Sequence, residues 1–159
     1  MMFAIIPNLT RKNAAQVTRL ICAKLDELGA AYSLPLSTEN VFSDTKAEFL
    51  PEKELLGGCE AVITVGGDGT IIHSVKKAAV YSKPVLGINA GRLAFMAGLE
   101  IHELDLLEKL ITGDYSMDKR MMLKTTAADG DSVQSGYSMN DSTVMRLSRL
   151  SRISEINVD

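Results

Sequence analysis

The sequence has few cysteines and no long apolar run. Its 159 residues include two cysteines, Cys22 and Cys59. Their spacing suits no metal site, and such a pair is typical of structural thiols in a reducing cytoplasm. No apolar stretch is long enough to cross a bilayer, and the segment before Pro7 is too short and uncharged for a signal peptide. These absences predict a cytoplasmic protein with no membrane partner.

An excess of positive charge is also lacking. Seventeen lysines and arginines stand against 20 acidic residues, which gives a formal net charge of −3. A nucleic-acid partner is therefore not expected, because such proteins normally carry a basic face. Hydrophobic residues make up 46% of the chain and charged residues 23%, close to the average of soluble globular proteins. The chain is long enough for one domain with a proper core.

Short apolar runs alternate with helical patterns, which indicates an α/β fold with a Rossmann-like, mostly parallel sheet and flanking helices. The segment 37–50 is predicted to be a loop. Thr10 is a candidate N-cap for the first helix, and Asp105 and Lys109 are spaced to pair on the outer face of the last one. Strands are predicted at 3–7, 31–36, 61–65 and 84–89, and helices from Thr10 to about Leu28 and at 51–56, 71–80 and 101–111.

The pattern changes after Gly113. Residues 115–126 and 132–139 predict an antiparallel hairpin around a turn at 129–131. A polar connector follows, and residues 155–159 begin a strand for which the sequence offers no partner. The two halves of the chain therefore differ in architecture.

The clearest chemistry lies directly after the strand at 61–65, where the chain reads Gly66-Gly67-Asp68-Gly69-Thr70. Ligands in open parallel sheets bind outside the carboxyl ends of strands. Glycines permit positive φ and a close approach of phosphate. The first N–H groups of the following helix bind an anion, and the threonine adds a hydroxyl donor. Asp68 would hold Mg²⁺ or accept the proton of an attacking hydroxyl.

Two common phosphate loops do not match this segment. The Walker loop needs a lysine that is absent, and the dinucleotide fingerprint needs a small residue where Ile72 stands. A tight turn with Asp68 as N-cap, which binds nothing, explains the five residues equally well.

Two further segments make the pattern specific. Residues 87–96 read Gly-Ile-Asn-Ala-Gly-Arg-Leu-Ala-Phe-Met, and residues 139–144 read Met-Asn-Asp-Ser-Thr-Val. The glycine-rich loop alone resembles those of diacylglycerol- and sphingosine-type lipid kinases and of 6-phosphofructokinases. With the other two segments, in this order, it resembles the NAD kinase family over essentially the whole chain. Ala94 and Met96 depart from the family's usual glycine and leucine.

The resemblance implies transfer of a phosphoryl group from ATP or inorganic polyphosphate to the adenosine-ribose 2′-hydroxyl of NAD, with Mg²⁺ or another divalent cation. It implies that Asp68 is the catalytic carboxylate, which activates the hydroxyl or places the metal. Phosphate contacts are implied for Gly66, Gly67, Gly69 and Thr70. Contacts with NAD are implied for Asn140, Asp141, Asn89, Gly91, Arg92 and Phe95.

Simpler interpretations of the NAD-contacting residues stay open. Asn140 and Asp141 would also suit an ordinary turn. Asn89 and Gly91 would also shape a turn, Phe95 would also fill a core, and Arg92 would also be a solvated surface residue. A related lipid kinase and a non-catalytic nucleotide-binding module remain alternatives for the whole chain.

The family fold adds a β-rich second domain with a second nucleotide loop, which this sequence does not contain. The resemblance therefore implies a Rossmann-like domain at 1–147, and a connector with the first strand of a truncated second domain at 148–159. It also implies that the full-length protein is a homo-oligomer and that this chain alone is nearly inactive.

Overall fold

The computed structural model describes residues 1–91, 94–129, 132–139 and 155–158. The chain divides into two compact units, Met1–Met117 and Asp118–Asp159. The domain boundary predicted between residues 147 and 148 falls outside the described residues, so it stays a prediction.

The first unit is built on a five-stranded sheet in which every neighbouring pair of strands is parallel. The strand order is β3-β2-β1-β4-β5. The chain moves outward from β1 to β3 and then crosses to β4, on the other side of β1. The carboxyl ends of β1 and β4 therefore flank the point where the order reverses, which is where such sheets bind ligands. The strands are Met2–Pro7 (β1), Ala31–Pro35 (β2), Glu48–Leu50 (β3), Ala61–Gly66 (β4) and Val85–Asn89 (β5).

Helices connect and cover these strands, so the predicted α/β fold with a mostly parallel sheet is confirmed. Short 3-10 helices occupy Leu36–Thr38 and Ile101–Leu107. Within the ranges that the structure describes, no helix has the length and apolar character needed to span a membrane. The α-helices are Ala14–Glu27 (α1), Glu39–Phe42 (α2), Glu52–Gly58 (α3), Asp68–Val80 (α4) and Glu108–Thr112 (α5).

The core lies on both faces of the sheet, because alternate residues of a strand point to opposite sides. Phe3 and Ile5 of β1 belong to the larger cluster, which includes the apolar stripe of α1. Ala4, between them, belongs to a smaller cluster with Leu55 and Leu56 of α3. The sheet is thus covered on both sides, as its nearly continuous apolar strands require.

Several local predictions were wrong. Helix α1 begins at Ala14 after Asn13, and the Thr10 hydroxyl donates instead to Oδ1 of Asn8 at 2.7 Å. The predicted loop at 37–50 contains two short helices and β3, a strand of three residues that exists because it pairs with β2.

The predicted pair between Asp105 and Lys109 was also wrong. Asp105 accepts from Nζ of Lys24 at 2.7 Å, and Lys109 pairs with Asp114 at 3.0 Å. Because residues 101–107 form a 3-10 helix, the four-residue spacing no longer places these two side chains one above the other.

The second unit contains a three-stranded sheet in the order β7-β6-β8. Its strands are Leu123–Asp129 (β6), Ser132–Ser138 (β7) and Glu155–Val158 (β8). Antiparallel pairing of β6 with β7 confirms the hairpin, although its first strand begins at residue 123 and not at 115. The last strand was predicted to have no partner, and this was wrong because β8 pairs antiparallel with β6.

Both cysteines are free and buried in the first unit. Burial raises the pKa of the Cys22 thiol to about 12 from an ordinary value of 9.0. The thiol is therefore protonated in the folded chain at a pH where it ionises in the unfolded chain. The stability that the protonated thiol contributes is fully present below the pKa of the thiol in the unfolded chain. It is lost as the pH rises toward the pKa of the thiol in the folded chain.

We expect the free energy of unfolding to fall more between about pH 8 and about pH 10.5 in the wild type than in Cys22→Ala. The variant lacks the thiol whose ionisation favours the unfolded chain. Denaturant titrations of both proteins at several pH values measure the difference. Equal pH dependence in the two proteins would show that Cys22 does not carry this effect.

Candidate active site

The glycine-rich loop lies at the carboxyl end of β4 and runs directly into α4. Gly66 ends the strand, and Gly67 is the N-cap, with an extended backbone at φ −105° and ψ −173°. The N–H groups of Thr70 and Ile71 both donate to the Gly67 carbonyl, at 2.9 and 3.1 Å. The first N–H groups of an α-helix have no partner within the helix and lie at its positive end. The loop therefore offers an anion-binding position.

The three glycines of the loop serve two different purposes. A Cβ on Gly66 would lie 2.5 Å from Oγ1 and 2.6 Å from Cβ of Thr70, so internal packing requires glycine there. A Cβ on Gly67 or Gly69 would meet nothing within 4 Å. The loop does not use the positive φ that glycine permits, which the described glycines show at Gly29 and Gly113. What Gly67 and Gly69 provide is open space beside the backbone.

Asp68 is the first residue of α4 and connects the loop to the second sequence segment. Its Oδ1 accepts a hydrogen bond from the backbone N–H of Met96 at 2.8 Å. The other carboxylate oxygen accepts no hydrogen bond from a described residue. The interpretation of Asp68 as an N-cap was wrong, since Gly67 occupies that position. Within the described part of the chain, the carboxylate is thus held at one oxygen and has no partner at the other.

Thr70 is in contact with a residue that the sequence did not single out. Its Oγ1 accepts from Nδ2 of Asn8 at 2.8 Å, and the backbone N–H of Asn8 donates to the Val65 carbonyl at 2.9 Å. Asn8 directly follows β1, which pairs with β4. The sequence did offer a signal for Asn8, because it is a polar residue directly after a strand. The carboxyl ends of neighbouring parallel strands lie at one edge of the sheet, so a residue after β1 lies near the loop after β4.

The second segment begins with Asn89, whose side chain is engaged within the chain. Asn89 is 1% exposed. Its Nδ2 donates to both carboxylate oxygens of Glu100 at 3.1 and 3.0 Å, and its Oδ1 accepts from the Gly91 N–H at 2.8 Å. These bonds agree with the turn-shaping interpretation of Asn89 and Gly91. Their contacts with NAD stay predictions.

Main-chain bonds hold the second segment against the loop and against β5. The N–H of Ala90 donates to the Gly66 carbonyl at 3.1 Å, and the N–H of Gly98 donates to the Gly87 carbonyl at 2.9 Å. The segment therefore leaves the sheet at residue 90 and returns beside β5 at residue 98. This path brings the Met96 N–H to Asp68.

Phe95 lies in the same returning segment and is 84% exposed. The interpretation of Phe95 as a core residue was therefore wrong, and its ring is accessible to a ligand. Arg92, Asn140 and Asp141 lie outside the described residues, so their predicted contacts with NAD stay predictions.

A divalent cation at this site would depend on Asp68. In the part of the chain that the structure describes, no group of three or more His, Cys, Asp or Glu side chains is placed to hold a metal. Mg²⁺ is commonly held by one or two carboxylates together with substrate phosphates and water. The second oxygen of Asp68, which accepts no hydrogen bond from a described residue, fits that arrangement.

A surface concavity of about 440 Å³ lies away from this loop, at the edge where β1, β2 and β3 begin. Met2, Ala31, Tyr32 and Glu48 are among its lining residues. Of the predicted site residues that the structure describes, none lines it. The position of the glycine-rich loop at the opposite strand ends is the better guide to the site, since ligands bind there in such sheets.

The switch point of the sheet and the acidic glycine-rich loop define the first unit as an α/β domain of the nucleotide-binding kind. The chain is similar in fold to yeast NADH kinase in a crystal structure with NADH. The TM-score is 0.76 at 19% identity, and the match covers 88% of this chain and 47% of that one. The likeness establishes the fold.

The family model of the ATP-NAD kinase N-terminal domain matches residues 4–115. An NAD kinase of Natranaerobius thermophilus is 31% identical over 96% of this chain and 53% of its own length. One of Symbiobacterium thermophilum is 32% identical over 91% of this chain and 51% of its own length. One of Sulfurimonas denitrificans is 33% identical over 77% and 44% respectively. The chain therefore belongs to the NAD kinase family, and it spans about half the length of these curated relatives.

We expect Gly66→Ala to lower the free energy of unfolding by about 1–3 kcal/mol, because the new methyl group overlaps the Thr70 side chain. Gly67→Ala adds a methyl group where there is open space, so its stability should stay within about 0.5 kcal/mol of the wild type. Denaturant titration of the two variants measures this contrast. Equal destabilisation by both changes would contradict the packing assigned to Gly66.

Proposed function

We propose that this chain contributes the first-domain site of an enzyme that phosphorylates NAD to NADP. The acceptor is the adenosine-ribose 2′-hydroxyl, and the donor is ATP or inorganic polyphosphate. One observation carries the proposal: the Met96 N–H donates to Asp68 at 2.8 Å. This bond joins the two sequence segments that together distinguish NAD kinases from other kinases with a similar loop.

The loop is suited to hold phosphate groups in place. Phosphoryl transfer depends mainly on positioning and on electrostatic stabilisation of the transferred group. The helix start offers N–H groups and the positive end of a dipole. The space beside Gly67 and Gly69 lets phosphate oxygens approach the backbone. Thr70 adds a side-chain hydroxyl at the same position.

Asp68 is the group that we assign to the chemical step. The bond from Met96 fixes one carboxylate oxygen, which orients the other oxygen without occupying it. That second oxygen would accept the proton of the attacking 2′-hydroxyl. In the alternative role, the same oxygen would place Mg²⁺, which when bound neutralises phosphate charge.

The remaining contacts with NAD come from the segment that returns to the loop. Phe95, at 84% exposed, would pack its ring against the base. Asn89 and Gly91 would shape this segment, and Arg92 would neutralise phosphate charge. Asn140 and Asp141 would hold the ribose through their hydrogen-bonding side chains.

We also propose that the enzyme works in the cytoplasm as a homo-oligomer. Two free, buried thiols suit a reducing compartment. Assembly follows from the family resemblance, in which subunits associate through the second domain.

The test is NADP formation from NAD with Mg²⁺ and either ATP or polyphosphate, by this chain and by the longest product of its gene. We expect Asp68→Asn in the longer product to lower kcat at least about 100-fold, since a general base typically contributes a factor of that size or more. Asp105→Asn is the matched control, because that exposed carboxylate lies in a surface ion pair with Lys24, and such pairs contribute little.

Two results would count against the proposal. No NADP from the longer product with either donor would favour a lipid kinase or a nucleotide-binding module. Full activity of Asp68→Asn would remove the carboxylate from the chemical step. A binding module would in addition keep its nucleotide after this change and turn nothing over.

A further inference from the structure

Asn8 lies at the switch point of the sheet, next to the glycine-rich loop. It is the first residue after β1, and Pro7 pairs with Val65 in the neighbouring strand β4. The backbone N–H of Asn8 donates to the Val65 carbonyl at 2.9 Å. The residue therefore stays beside the loop through main-chain pairing, independently of its own side chain.

The orientation of the Asn8 carboxamide is determined by its neighbours. Its Oδ1 accepts from the Thr10 backbone N–H at 3.1 Å and from the Thr10 hydroxyl at 2.7 Å. Because the oxygen faces Thr10, the amide nitrogen must face the loop, where Nδ2 donates to Oγ1 of Thr70 at 2.8 Å. A carboxamide presents an acceptor on one side and donors on the other, and here each side has its partner.

The bond from Asn8 restricts what the Thr70 hydroxyl can do. A hydroxyl has one proton to donate and two lone pairs that accept. One lone pair of Thr70 is engaged by Asn8, so the proton points elsewhere. The side chain is also confined, because the Cα of Gly66 lies close enough that a Cβ there would be 2.5 Å from Oγ1. No described residue accepts a hydrogen bond from this hydroxyl.

We infer that Asn8 is a positioning residue, whose amide holds the Thr70 hydroxyl as a hydrogen-bond donor toward a phosphate oxygen bound at the loop. The inference rests on the proposed function for the identity of the site, and it adds a residue from the other side of the switch point. The ligand chemistry is a chain of linked phosphates. This could belong to the phosphoryl donor or to the diphosphate of NAD.

The experiment measures binding, so that it does not depend on turnover. Titration calorimetry gives Kd for inorganic tripolyphosphate and for NAD with the wild-type chain and with Asn8→Ala. The same substitution is then made in the Thr70→Val background, which lacks the hydroxyl. Thermal unfolding of all four proteins reports any loss of stability separately.

We expect Asn8→Ala to raise Kd for one of the two probes about tenfold. This factor corresponds to the free energy of one hydrogen bond to a charged group. The probe that loses affinity identifies the source of the phosphate. In the Thr70→Val background the same change should alter Kd less than twofold, because the hydroxyl that Asn8 positions is gone.

Two variants that each introduce a carboxylate test the direction of the Thr70 hydroxyl proton. In Asn8→Asp the carboxylate can only accept, so the Thr70 proton turns toward it and away from the ligand. This change should weaken binding more than Asn8→Ala. Asn13→Asp is the control, since it adds the same charge to the segment that joins β1 to α1, at an exposed residue with no side-chain bond to the helix that it caps.

Three results would overturn the inference. The first is an equal effect of Asn8→Ala in both backgrounds. The second is a change in thermal stability with no change in Kd. The third is absence of binding of both probes by the wild-type chain. Failure of the proposed function would appear differently, as binding that persists in a gene product that forms no NADP.

Discussion

The parallel pairing of β1 with β4 is the contact on which the sheet and the site both depend. It places residues 3–7 beside residues 61–65 and so joins the two halves of the sheet. The carboxyl ends of the two strands then lie together, and Asn8 and Gly66 stand at the same edge of the sheet. Without this pairing, a glycine-rich turn and an asparagine distant in sequence would share no edge.

Main-chain hydrogen bonds complete the site around that edge. The segment after β5 is held to the loop by the N–H of Ala90 and by the N–H of Met96. The side chain of Asn89 also holds this segment, through hydrogen bonds with the Glu100 carboxylate and the Gly91 N–H. Backbone groups thus orient the carboxylate of Asp68, to which we assign the chemical step in the proposed function. Among the described residues, the second oxygen of Asp68 and the hydroxyl proton of Thr70 have no hydrogen-bond partner.

Much of this could be predicted from the sequence, for a physical reason. Strands buried on both faces need nearly continuous apolar runs, so β1, β4 and β5 were recognised from composition alone. The strand–loop–helix position of residues 66–70 followed from the same pattern. The three-residue strand β3 and the pairing of β8 with β6 could not be recognised, because a short strand exists only through its partner. The start of α1 was missed because Thr10 hydrogen-bonds to Asn8 and not to the helix.

The sequence by itself determined the fold class, the family and the acidic glycine-rich loop, since these depend on local pattern and on residue types at fixed spacing. Only the tertiary structure decided which contacts each loop residue makes within the chain. It showed that Gly66 is required by packing whereas Gly67 and Gly69 leave space. It also exposed Phe95, buried Asn89, and brought Asn8 to Thr70. These outcomes depend on contacts between residues up to 62 positions apart, which no local pattern encodes.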